Sequence, residues 1–310
     1  MSSYKINGPI PTVDSHIEAL ADYFEIQALC AQNNEISAKD ILKKLMKPAD
    51  EPSDEAGIED LEDKINTKLE PVIDAIQRRI TNSRGNYPFT LEVNGNVVAF
   101  RGFNDFTAYL YVYLLFATRL NMNANASFQN IDGTKLFELI SAEVAKTYFG
   151  DRSSALVFGT ALDGGFDAKV NDLCEKLNEG TSFVNHGGGE VTENDDALDI
   201  VVWKSFEDQV ANKLIGFGQC KTGTSYEGQR KDLQPKDFCK KWIKTPINQE
   251  PIRMFFIADV MEVAKFWKRS LDAGILFDRV RIMDYLPNLD DDLQQNITQW
   301  SSDALQFANN

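Results

Sequence analysis

The sequence predicts an α/β fold: a mixed sheet flanked by helices, preceded by a mainly helical region that carries a β-hairpin. Three observations support this. Apolar β-branched runs of strand length recur at about 198–203, 213–221, 251–260 and 277–286. Stretches with helical spacing separate them at about 132–150, 165–179, 235–243, up to Ala273, and 289–308. The alternation of the two kinds in the second half is the pattern of an α/β domain.

Taken in order, residues 13–33 read as a helix capped by Thr12 or Asp14. A short helix follows "ISAKD" through Leu42 and Leu45. The stretch 47–63 is a solvated linker: eight of the fourteen residues from Asp50 to Asp63 are acidic, and two prolines interrupt it. Leu61, Ile65, Leu69, Val72, Ile73, Ile76 and Ile80 then form a helical apolar stripe suited to packing or to an oligomer contact. "FTLEVNGNVVAFRG" (89–102) is a hairpin, because Asn94-Gly95-Asn96 accepts the positive φ of its turn. "FTAYLYVYLLFATRL" (106–120) is too short, and carries Arg119, for a membrane span, so it reads as a buried core helix. The next helix starts at Asp132 and stops at Gly150. The boundary between the accessory region and the α/β domain falls at about 130/131.

The 310 residues carry a net charge of −15, which argues against coating nucleic acid with the whole surface. Four cysteines without CxxC spacing read as reduced thiols, and "MSSYKINGPIPTVDSH" lacks a signal peptide's apolar stretch, so a cytoplasmic location is expected. Only His16 and His186 are available, which leaves little for a histidine metal site or triad, and no phosphate-binding glycine loop occurs.

The chemistry concentrates in "DDALDIVVWKSFEDQVANKLIGFGQCKTG" (195–223). Strand alternation places Asp199 with Val201 and Trp203, and Gln219 and Lys221 with Phe217 and Ile215, while Cys220 points the other way. If the two strands pair antiparallel, Asp199 approaches Gln219 and Lys221 at one end of the sheet. A carboxylate and an amide oxygen are hard donors for Mg²⁺, and an ammonium beside them stabilises charge developing on a phosphate. From Gln219 to Lys244 the chain carries seven basic and three acidic residues. Among them Arg230, Lys231, Lys236, Lys240 and Lys241 are candidates for a phosphate track, with Tyr226 and Trp242 as rings that could stack on a base.

Asp199 followed by Gln219-Cys220-Lys221 resembles the PD-(D/E)XK signature of restriction-endonuclease-like nucleases, in particular the Mrr-type branch with Q-x-K. Phe137-Glu138 matches that branch's Phe-Glu pair on the preceding helix. The resemblance covers roughly the second half of the chain. It departs from the strict signature at Leu198, where the family has Pro, and at Gln219, where it has an acid. The resemblance implies a restriction-endonuclease-like core and catalytic roles for Glu138, Asp199, Gln219 and Lys221. Asp199, Gln219 and Glu138 would hold Mg²⁺ or Mn²⁺, with Glu143 as a fallback carboxylate. It further implies DNA as substrate and a setting in restriction or anti-phage defence; the acidic net charge, unfavourable for a lone DNA-binding enzyme, leads to the expectation of a homo-oligomer or of an ATPase or sensor partner. The alternative is a catalytically degenerate nuclease fold serving as a binding or assembly subunit.

Overall fold

The computed structural model describes residues 10–12, 14–45, 55–159, 165–188, 196–286 and 288–309. Part of the acidic stretch 47–63 and the end of the 185–190 loop lie outside these residues. Among the described residues, no helix is long and apolar enough to cross a membrane.

The first half contains α1 (Ile17–Cys30), β1 (Glu35–Ser37), α2 (Ala38–Leu45), α3 (Glu55–Asn82), β2 (Phe89–Glu92), β3 (Val97–Phe100) and α4 (Phe106–Arg119). Strands β2 and β3 pair antiparallel across a turn in which Asn94 and Gly95 have φ of 56° and 87°. β1, which its short polar sequence did not announce, adds to the other edge of β3. The stripe on α3 is used for packing: Ile65, Val72 and Ile76 are buried in the main core. Helix α4 is the buried element its composition implies, capped by Asp105, whose side chain accepts the Ala108 N–H.

After a two-residue hairpin, β4 (Ser127–Phe128) and β5 (Ile131–Asp132), come α5 (Gly133–Phe149), β6 (Ser153–Val157), α6 (Phe166–Leu177), β7 (Ile200–Lys204), β8 (Leu214–Lys221), α7 (Pro235–Trp242), β9 (Ile252–Ile257), α8 (Val263–Ala273), β10 (Ile275–Phe277), α9 (Arg279–Asp284) and α10 (Asp291–Asn309). They build a five-stranded sheet in the order β10-β9-β8-β7-β6. β6, β7 and β8 run antiparallel, whereas β8, β9 and β10 are parallel and joined by α7 and α8, as parallel neighbours require a crossover. The fold is thus α/β with a mixed sheet. On one face Ile200, Val202, Met254 and Phe256 pack with α4, α5 and α10. On the other, Val201, Trp203 and Phe217 pack with α6 and α7.

Two expectations fail. Neither Thr12 nor Asp14 caps α1: its N-cap is His16, which makes no side-chain cap bond. Residues 277–286 are not one strand: β10 ends at Phe277, and α9 begins two residues later. Asp278 ends the strand by accepting the Arg281 N–H and capping the helix. Helical winding then turns Ile282 and Met283 inward and places Arg279, fully buried, against Asp22 at 2.9 Å.

The main apolar cluster runs from Leu20 to Ala308, so the two halves share a core. A buried ionic network joins them as well. Asp22 of α1 receives Arg79 of α3 at 2.7 Å, Arg119 of α4 at 2.6 Å and Arg279 of α9. Arg119 also reaches Asp259, just beyond β9, at 3.4 Å. Asp259 in turn accepts the Tyr226 hydroxyl at 3.1 Å.

Candidate active site

The ends of β7 and β8 open onto a cleft of about 410 Å³. Asp199, immediately before β7, forms one wall. Its backbone N–H donates to the Gly218 carbonyl at 3.0 Å, and its own carbonyl accepts from Phe158 and Gly159 at 2.7 and 2.9 Å. Its side chain turns onto β8: Oδ2 accepts the Cys220 backbone N–H at 2.6 Å. The chain enters this position through Asp196 and Ala197, both at positive φ.

Glu138 reaches the same cleft from the first turns of α5, which Asp132 caps through the N–H groups of Thr134 and Lys135. Its carboxylate lies against Gly159, where an added Cβ would meet Oε1 and Oε2 at 3.0 Å. Gly159 therefore meets both residues: its N–H donates to the Asp199 main-chain carbonyl, and its bare α-carbon leaves room for the Glu138 carboxylate. Lys221 closes β8 and also lines the cleft. Its carbonyl accepts the Ala258 N–H at 3.2 Å, and Gly223 donates to Ala117 of α4 at 2.8 Å.

The structure thus brings together three of the four residues singled out in the sequence: Glu138, Asp199 and Lys221. Gln219 is not among those lining the cleft; it is buried, and among the described residues neither its amide oxygen nor its nitrogen has a hydrogen-bond partner. Cys220, assigned by alternation to the far side, does line the cleft. Alternation does place Cys220 opposite Ile215 and Phe217, on the face with Ile200, Val202 and α5, and it is on this face that the cleft opens. Asp199 and Lys221, of the other parity, reach it because they stand at the strand ends. Burial, with the Asp199 and Glu138 carboxylates nearby, pushes the Cys220 thiol well above its ordinary range, so it is held as a neutral thiol. Glu143 is engaged with Lys146 at 2.7 Å and takes no part in the cleft.

The expected phosphate track is divided. Arg230 is largely buried and paired with Glu227, and Lys231 reaches Asp272 at 3.2 Å. Lys236 faces Glu250 at 3.4 Å, and Lys241 lies 4.2 Å from the centre of the Trp242 ring. Lys236 and Lys240, one turn apart on α7, and Lys244 just beyond it share a separate groove with His186. Neither aromatic candidate offers a face to a ligand: Trp242 is buried with its Nε1–H on Asp196, and Tyr226 is buried on Asp259.

Sequence reasoning missed the contribution of the first half. Asn121 and Asn123, just after α4, line the cleft, as does Gln229 beyond β8. No motif marks them, and only the packing of α4 against the sheet brings them there. Among the described residues no group of three His, Cys, Asp or Glu side chains is arranged to hold a metal ion. Compared with known proteins, the chain matches no family model, no curated protein and no solved structure.

Proposed function

We propose that the chain is a metal-dependent endonuclease that hydrolyses phosphodiester bonds in DNA, with Glu138, Asp199 and Lys221 as its chemical core. The observation that carries this reading is the convergence of those three side chains, from three separate elements, on one cleft. The order α5-β6-α6-β7-β8-α7-β9, with β6, β7 and β8 antiparallel and β9 parallel to β8, supports the restriction-endonuclease-like core that the sequence resemblance implies.

The donor set suits a hard cation. Mg²⁺ binds through one or two protein carboxylates and completes its shell with water and substrate phosphate, so two acids suffice where a three-acid cage is absent. Asp199 and Glu138 would hold Mg²⁺ or Mn²⁺. The bound ion would lower the pKa of a water and polarise the phosphoryl group. Lys221 would set a positive charge where the phosphate gains negative charge. The amide of Gln219, buried with neither polar atom satisfied, is an incomplete shell of the kind a ligand or water completes.

The test is incubation of plasmid DNA with the protein and Mg²⁺ or Mn²⁺, beside Asp199→Ala and Lys221→Ala. Cleavage by the wild type alone supports the reading, and folded but inactive wild type counts against it. Gln219, outside the cleft and one charge short of an acid, favours a second reading: a degenerate nuclease fold that binds or assembles. Calorimetry separates the two, because the degenerate form binds no Mg²⁺. With a net charge of −15, DNA engagement through a homo-oligomer or through an ATPase or sensor partner belongs to the proposal, as do a cytoplasmic location and a role in restriction or anti-phage defence. Light scattering that finds a monomer binding DNA tightly at physiological salt would remove the oligomer and partner.

A further inference from the structure

We infer that the cleft reads nucleobases, through the side-chain amides of Asn123 and Gln229, and that adenine is the base it favours. This deepens the nuclease reading and rests on it for the identity of the polymer. Its starting point is charge. Among the described residues that line the cleft, Lys221 is the only cation, against the carboxylates of Glu138 and Asp199. A site that recognised backbone alone would gather arginines and lysines around it. This one gathers amides and hydroxyls instead, including Thr222, Thr224 and Ser225.

Asn121 is occupied internally, since its Oδ1 accepts the Asn123 N–H at 3.2 Å. The side chains of Asn123 and Gln229 are different. Both are exposed and neither makes a hydrogen bond within the described residues. They stand on loops from different halves of the chain, and both loops are pinned. The Asn121 turn holds the first. The second is held by Gly223 on Ala117 at 2.8 Å, by Tyr226 on Asp259, and by the Gln229 N–H on the Tyr226 carbonyl at 3.0 Å. With the backbone fixed, only the rotamer freedom of the side chains themselves is lost on binding. A planar amide offers one donor and one acceptor side by side, which matches the N6–H and N7 edge of adenine.

The experiment recovers the bound fraction from pools of duplex and single-stranded oligonucleotides with a randomised centre, with Ca²⁺ in place of Mg²⁺, and sequences it. The wild type is expected to enrich adenine at one or more positions by roughly tenfold. The Asn123→Ala/Gln229→Ala variant, with an unchanged melting curve, is expected to bind but to return a flat pool. A flat wild-type pool, an enrichment that survives in the variant, or no bound fraction at all overturns the inference. Cleavage in Mg²⁺ is scored separately: cutting with a flat bound pool sinks the base reading alone, whereas adenine enrichment without cutting sinks the nuclease reading alone.

Discussion

Asp199 accepts the backbone N–H of Cys220 through Oδ2 at 2.6 Å, so one carboxylate oxygen is committed to joining β7 to β8. This gives the residue two separable roles. In Asp199→Ala the buried Cys220 N–H loses its acceptor, which costs about 1–3 kcal/mol. In Asp199→Asn the amide oxygen can still accept, so most of that stability stays. Cleavage should fall by two to three orders of magnitude, on the order of 10²–10³, in both. Urea unfolding set beside plasmid relaxation checks this; equal destabilisation by the two variants would show that the bond contributes nothing specific.

Gly159 donates its N–H to the Asp199 main-chain carbonyl and leaves only tight space for a methyl group beside Glu138. In Gly159→Ala the new Cβ would sit 3.0 Å from both Glu138 oxygens, closer than ordinary contact. The carboxylate must swing aside by a few tenths of an ångström. Cleavage and Mg²⁺ affinity should drop roughly 10–100-fold, as for other displaced supports of a metal ligand. The thermal midpoint should move only a few degrees, corresponding to about 1 kcal/mol. Metal titration by calorimetry reads the first effect, and an unchanged affinity would place Glu138 outside the metal site.

Gln219 has two buried polar atoms without hydrogen bonds, a condition that costs stability unless something binds there. Gln219→Met preserves the length and removes both atoms. The variant is expected to be as stable as the wild type or more so, by about 1–3 kcal/mol, in metal-free buffer. If the amide serves the site, added Mg²⁺ should raise the wild-type melting temperature and leave that of the variant nearly unmoved. Equal Mg²⁺ responses would make Gln219 a core residue with no part in the chemistry.

What the sequence disclosed follows from how local each feature is. The hairpin at 89–100, the cap at Asp132 and the Asp199/Lys221 pair depend on neighbours a few residues away or on strand ends, and they are legible. The segment 277–286 misled because Val280 and Ile282 alternate like a strand, while the fate of Arg279 is set by Asp22, more than 250 positions distant. Gln219 and Cys220 misled for another reason: alternation put Cys220 opposite Phe217, where it is found, but only the packing of α5 decides that the cleft opens on the Cys220 face. Asn123 and Gln229 carried no signal at all: they reach the cleft only because Gly223 docks on α4.

Asp22 supplies a last test, of the network that joins the two halves. Burial would raise its pKa, but Arg119, Arg279 and Arg79 together hold the carboxyl well below the ordinary carboxylate range. A depressed folded-state pKa contributes stability that is present above the unfolded value, about 3.9, and is lost as pH falls through the folded value. Glu25 and Asp259 act in the opposite sense. Burial raises both, so their contribution is present at low pH and fades as pH rises through their folded values. Asp22→Asn leaves three arginines short of a charge partner and should cost about 3–5 kcal/mol at neutral pH. The gap between wild type and variant should narrow steadily below about pH 4, where only the wild type still has this carboxylate to protonate. Urea unfolding across a pH series measures it. A gap that does not change with pH would mean that Asp22 is not the ionised centre of the network, and that its bonds to Arg79, Arg119 and Arg279 do not act as ion pairs.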